Sequence, residues 1–287
     1  MNVEVRQAGK TYRTGTAQTV EALRPITLNI RDREFVCFLG PSGCGKSTLL
    51  KLIAGIEPAD SGEIVCDGVK VKGTSTDRGF IFQDYALFPW LTVKHNILFG
   101  LRARKENKQE SHKIAESFIR LFGLSEVSHL YPNQLSGGMR QRVAIARALC
   151  LKPKLLLMDE PFAALDALLR QKLQEELVRI WSHEQITFVF VTHDVEEAVY
   201  LADRIVVMTP RPGTVKEIVP VNLPRPRNRT DADFVRLRAR LLELMDNGKS
   251  NETWTPPPSW NGSMPLSGGQ TPDPAGRPAL DGVAIPL

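Results

Sequence analysis

Long apolar runs are missing from this 287-residue chain. Nothing approaches the ~20 consecutive apolar residues that a membrane helix needs. Cysteine is scarce as well. The four present, Cys37, Cys44, Cys66 and Cys150, are scattered without metal-ligand spacing, which excludes a zinc module and a disulfide framework. They read as reduced, buried thiols. Charge of one sign is also lacking. The net charge is only +5, and no clustered basic stripe of the kind that binds nucleic acid stands out. The first residues, Met1-Asn2-Val3-Glu4-Val5-Arg6, carry no apolar signal-peptide core. These absences lead to the expectation of a cytosolic globular protein with ample core.

What is present begins with Gly40-Pro41-Ser42-Gly43-Cys44-Gly45-Lys46-Ser47-Thr48. Two glycines five apart followed by Lys and Ser make a phosphate-binding loop. Glycines permit positive φ, so that backbone N–H groups turn inward toward phosphate oxygens. Lys46 supplies a point charge for the β- and γ-phosphates, and Ser47 a hydroxyl for Mg²⁺. Such a loop must join a buried strand to a helix N-terminus, where anions are favoured. Phe35–Leu39 reads as that strand, Ser47 to Ala54 as that helix, and Gly55 as its stop. Cys44 lies inside the loop, near backbone N–H groups and Lys46, and this predicts a more reactive thiol than usual.

Upstream, residues 3 to 36 alternate as half-buried strands do. Tyr12 closes the first of them, either as a core or edge tyrosine or as an aromatic stacked on adenine. Downstream, Glu63–Cys66 and Val69–Val71 form a hairpin through Asp67-Gly68. Gly79–Phe82 is a short strand ending at Gln83, which is either a solvated loop residue or a ligand-facing one. Residues 86 to 145 read as mostly helical. Ser136 caps a helix there, and Gly137 and Gly138 leave its first N–H groups bare as a second anion site.

Leu155–Met158 is a continuous apolar run, hence a buried parallel strand, and it ends in Asp159-Glu160. Ligands of doubly wound sheets sit at such strand ends. Two adjacent acids there need compensation. Mg²⁺ on Asp159 would supply it, leaving Glu160 to accept a proton from water. Ala167–Trp181 reads as a helix. Ile186–Val191 reads as another strand, with His193 just beyond its end. Ile205–Met208 and Val215–Val221 complete the sheet, and Asp231–Met245 is a last helix. From Gly248 the chain turns to Pro, Gly, Ser and Asn and reads as a disordered tail. The tail contains Leu266-Ser267-Gly268-Gly269-Gln270, but the prolines that follow it cannot continue a helix.

In this order the motifs resemble those of the ATP-binding subunit of an ABC transporter, over residues 3 to 245. Gly40–Thr48 matches Walker A, Gln83 the Q-loop, and Leu135–Met139 the signature, with Met139 where Gln is commoner. Leu155–Glu160 matches Walker B, Ala164-Leu165-Asp166 the D-loop, and His193 the H-loop. Phe88–Val93, Glu176–Trp181 and Leu223-Pro224-Arg225-Pro226-Arg227 look like the nitrate/sulfonate/taurine (bicarbonate) import branch. The resemblance implies an α/β P-loop NTPase core with a central, mostly parallel sheet and an N-terminal antiparallel β subdomain. A helical signature subdomain at about 86–145 would lie within an ATP-binding domain of residues 1–247, before a 248–287 tail. It implies ATP and Mg²⁺ as cofactors. Tyr12 would stack on adenine. Ser47, Gln83 and Asp159 would hold the metal. Glu160, His193 and Gln83 would be catalytic. Ser136, Gly137 and Gly138 would bind ATP across a homodimer or a pair with a paralogous subunit, and Asp166 would couple the sites. Implied partners are transmembrane permease subunits and a periplasmic or lipid-anchored substrate-binding protein, at the cytoplasmic face of the inner membrane, with no nucleic acid. The rival is a soluble ABC-type ATPase acting on nucleic acid or ribosomes. Such chains usually carry an inserted coiled coil or two cassettes, and neither is found here.

Overall fold

The computed structural model describes residues 1–13, 19–103, 107–163, 165–184 and 186–246. The expected disorder from Gly248, and the tail's second copy of the signature string, lie outside them. Strands β1 (Val3–Arg13) and β2 (Thr19–Ile30) pair antiparallel, with bulges that shift the register. β3 (Phe35–Leu39) is five consecutive buried residues, a pattern only a strand covered on both faces uses. It feeds α1 (Lys46–Ala54), which Gly55 ends in the left-handed conformation. β4 (Ser61–Cys66) and β5 (Val69–Lys70) form the expected hairpin and extend the first sheet in the order β2-β1-β4-β5.

β6 (Arg78–Ile81) precedes the helical segment. That segment holds α2 (Val93–Ala103), α3 (Lys108–Leu121) and α4 (Gly137–Leu149). β7 (Leu155–Asp159), α5 (Ala167–Glu184), β8 (Thr187–Thr192), α6 (Val195–Leu201) and β9 (Arg204–Met208) then alternate. β10 (Val215–Pro220) and α7 (Ala232–Asp246) close the described chain. The second sheet runs β10-β9-β3-β8-β7-β6, parallel except for the edge strand β10.

Alternation along this sheet divides the core. Phe35, Cys37, Leu39, Leu156, Met158, Phe188 and Phe190 face one way, into a cluster with residues of α2, α4, α5, α6 and α7. Val36, Phe38, Leu155, Leu157, Val189 and Val191 face the other, into α1 and the antiparallel sheet. Successive side chains of a strand point to opposite faces, so uninterrupted apolar strands need cover on both. Every parallel strand therefore ends in the same rim, where β3, β7 and β8 deliver Gly40, Glu160 and His193. Arg227 shows what the Leu223–Arg227 motif does. Its guanidinium is buried and donates to the carbonyls of Val199, Tyr200 and Ala202, strapping the chain over the end of α6. Burial, and then neighbouring Arg225, push its pKa down to about 10. Among the described residues no helix is long and apolar enough to cross a membrane.

Candidate functional site

The Gly40–Thr48 loop wraps the start of α1, with Gly45 as its N-cap at φ 99°. A Cβ at Gly45 would lie 2.5 Å from Leu23 Cδ2 and 2.8 Å from the Ala22 carbonyl oxygen. Both the left-handed backbone and the close pass of β2 therefore demand glycine. The loop floors a cavity of about 500 Å³ lined by Tyr12, Val20, Ala22, Ser42, Gly43, Gly45, Lys46, Ser47, Thr48, Gln83, Glu160 and Arg211.

Lys46 is buried at the cavity base, and its ammonium donates to the carbonyls of Gly40 (2.8 Å) and Pro41 (2.9 Å). Gly40 and Pro41 thus orient the cation rather than line the cavity. Ser47 Oγ donates to Asp159 Oδ1 at 2.7 Å. Burial first, and the charge of Glu160 next among the raising causes, push the Asp159 carboxyl above the ordinary aspartate range. A divalent cation fits this arrangement. A hydroxyl and a desolvated carboxylate share one spot beside a second acid, and Mg²⁺ takes few protein ligands when phosphates and waters supply the rest.

Glu160 sits at φ 42°, and its N–H bonds the Val191 carbonyl at 3.1 Å, tying the end of β7 to β8. Its carboxylate lies 4.0 Å from Lys46 Nζ and 3.0 Å from His193 Nδ1. The ends of β7 and β8 therefore meet through the Glu160–His193 contact, which the sequence did not foretell. Strained backbone at such a residue is a common mark of functional sites.

Tyr12 stands opposite Val20 in the β1–β2 register, and both line the cavity mouth. Its hydroxyl donates to Glu57, with Thr48 Oγ1 3.5 Å away, which fixes the ring at one end of the loop. Gln83 lines the cavity from the end of β6.

Ser136, Gly137, Gly138 and Asp166 are not among the lining residues. Ser136 caps α4 by accepting the Met139 N–H at 3.3 Å, as expected. Gly138 is buried under Leu169, where a Cβ would lie 2.4 Å from Cδ2. Asp166 accepts the Leu169 N–H at 2.9 Å and so caps α5.

The expectation of a reactive Cys44 needs correction. Its side chain is buried, and desolvation raises the thiol above its ordinary value, outweighing Lys46 3.9 Å away. The sulfur points into the core behind the loop. The sequence reading also missed Val20, Ala22 and Arg211. Alternation along β2 carried a signal for the first two, whereas Arg211 had none.

The chain is similar to several known proteins. The ABC transporter family model matches residues 23–163. An uncharacterized ABC transporter ATP-binding protein of Methanocaldococcus jannaschii is 52% identical over 226 residues, 79% of this chain and 85% of the relative. The aliphatic sulfonates import ATP-binding protein SsuB of Bacillus thuringiensis is 44% identical over 248 residues, 86% of this chain and 97% of the relative. The nitrate import ATP-binding protein NrtD of Synechocystis is 43% identical over 262 residues, 88% of this chain and 98% of the relative. A dimeric, post-hydrolysis structure of the ATP-binding cassette MJ0796 with ADP and Pi superposes with a TM-score of 0.69 at 33% identity, covering 77% of this chain and all of that one. With its phosphate loop, paired acids and His193 assembled on one sheet rim, the chain belongs to the ABC transporter family as an ATP-binding, ATP-hydrolysing subunit.

Proposed function

We propose that this subunit powers import of a small anion of the nitrate, sulfonate, taurine or bicarbonate class through a membrane permease. The observation that carries the proposal is similarity to sulfonate and nitrate import subunits along 97% and 98% of their lengths. Residues 1–247 would form the ATP-binding domain. Tyr12, with Val20 opposite, would take adenine, and the loop amides from Gly43 to Thr48 together with Lys46 the phosphates. Ser47 and Asp159, with Gln83 nearby, would hold Mg²⁺, which when bound neutralises phosphate charge. Glu160 would take the proton of the attacking water, and His193, held against it, would orient the γ-phosphate. Phosphoryl transfer asks for positioning and charge neutralisation, and this rim offers both.

A single chain leaves the site without its signature. Ser136, Gly137 and Gly138 would reach ATP from a second cassette facing head to tail, with Asp166 between the two sites. Closure would then gate hydrolysis. The permease would dock in a second cavity, of about 600 Å³, lined by Phe82, Phe88, Phe99 and Arg147 among others, between β6 and the helical segment. Trp90, whose ring centroid lies 5.7 Å from that of Phe88, is 70% exposed, a large apolar group facing solvent. These contacts would hold the subunit at the cytoplasmic face of the inner membrane, where the permease meets a periplasmic or lipid-anchored binding protein.

The test is purification of the tagged chain from native membranes. Retention of a permease and a binding protein, whose ligand then names the substrate, is the expected result. Retention of ribosomes or DNA without a permease would overturn the transport reading.

A further inference from the structure

Arg211 lies on no motif, yet it forms one wall of the nucleotide cavity. It is carried there by the turn between β9 and β10. The turn is closed on itself by Thr209 N–H to Thr214 O (2.9 Å) and Thr214 N–H to Thr209 Oγ1 (3.0 Å). It is also stapled to β2, by Gly213 N–H to Ala22 O and Arg24 N–H to Gly213 O, both 3.0 Å. A Cβ at Gly213 would fall 1.9 Å from the Cys44 carbonyl oxygen. The turn thus presses on the phosphate loop itself, closely enough to need glycine there.

From this turn Arg211 donates Nε–H to the Gly43 carbonyl at 3.1 Å. A Cβ at Gly43 would lie 3.4 Å from Nη2, so the guanidinium lies against the loop at this residue. Among the described residues only one of its five donors has a hydrogen-bond partner. Among the described residues no carboxylate comes within ion-pair distance of it, although the chain pairs many of its other arginines, Arg204 with Glu34 and Arg229 with Glu196 for example. A purely structural brace would need only the Nε–H bond. This one leaves a permanent charge and a two-pronged donor on the wall of an anion cavity, the geometry that grips two phosphate oxygens at once. Tyr12 reaches Thr48 at the end of the loop and Arg211 reaches Gly43 near its middle, so the two line the cavity at different points of the loop.

We propose that Arg211 is a further phosphate-binding residue of this site, contacting the polyphosphate end of ATP while its Nε holds the loop carbonyl in place. The proposal rests on ATP occupying this cavity. It is tested with Arg211→Gln, which removes the charge but keeps an amide donor, and Arg211→Lys, which restores the charge without the fork. Dissociation constants for ATP, ADP and adenosine are measured at low and high salt, with Lys46→Ala alongside. Expected for Arg211→Gln is a loss of about tenfold or more in ATP affinity at low salt, the size of one charge-assisted contact. ADP should lose less and adenosine nothing. Lysine should recover part of the loss, and salt should narrow the gap. Unchanged ATP affinity in Arg211→Gln, or equal losses for adenosine and ATP as a displaced loop would give, would overturn the proposal. If Lys46→Ala also binds ATP normally, the cavity assignment itself fails, which separates the two failures.

Discussion

Replacing Glu160 by glutamine should separate binding from hydrolysis. The amide has the same shape and can keep the contact that His193 Nδ1 now makes with Glu160 Oε2 at 3.0 Å. What it loses is a proton acceptor and a negative charge. The carboxylate side chain is 17% exposed and stands 4.0 Å from Lys46 Nζ. Unit charges at that separation attract by about 4 kcal/mol at an effective dielectric of 20, before the cost of desolvation is taken off. Losing that attraction frees Lys46 for phosphate, so ATP affinity should hold or rise. Glu160 also raises the Asp159 carboxyl, so its removal should let Asp159 ionise at lower pH and take the cation more readily. Turnover should fall by about 10²–10⁴, the worth of a positioned general base. Phosphate release, nucleotide affinity and gel filtration with ATP read the three effects. The variant should bind ATP, persist as a closed dimer and barely hydrolyse. Turnover within an order of magnitude of the parent would remove Glu160 as the base.

Three further outcomes follow from the same rim. Asp159 holds its proton to higher pH in the folded chain than in the unfolded one, so it costs stability as pH rises through and above the ordinary aspartate range. Asp159→Asn in EDTA should therefore melt higher than the parent at neutral pH, with the gap closing in acid, and a lower melting temperature at neutral pH would contradict the burial argument. Tyr12→Ala should weaken ATP binding by roughly 3- to 10-fold, the value of one aromatic stack, while Tyr12→Phe should lose little; equal losses would shift the credit to the Glu57 hydrogen bond. All four thiols are buried, so alkylation of the native protein should be slow at each, with or without ATP, and fast in urea, whereas rapid labelling of Cys44 would refute its burial.

Much of the site was legible in the sequence because its residues stand at the ends of apolar runs. Phe35–Leu39, Leu155–Asp159 and Thr187–Thr192 are strands buried throughout, and chain direction puts the residues after each run, Gly40, Glu160 and His193, on one rim. Local pattern suffices there: a strand's period and the rule that ligands sit at carboxyl ends of parallel strands need no knowledge of distant contacts. The caps were legible for the same reason, since Ser136 bonds three residues ahead.

Only the tertiary structure decided the rest. Cys44 looked activated by its neighbours in sequence, but the core behind the loop takes its sulfur out of water and reverses the effect. Tyr12 meets Val20 through a register that bulges have shifted. Arg211 reaches Gly43 across 168 residues, on a turn that carries no motif. Short-range hydrogen-bond patterns and hydrophobic period are written along the chain. Desolvation and long-range approach exist only once the layers pack, because they depend on which distant atoms exclude water from the same place.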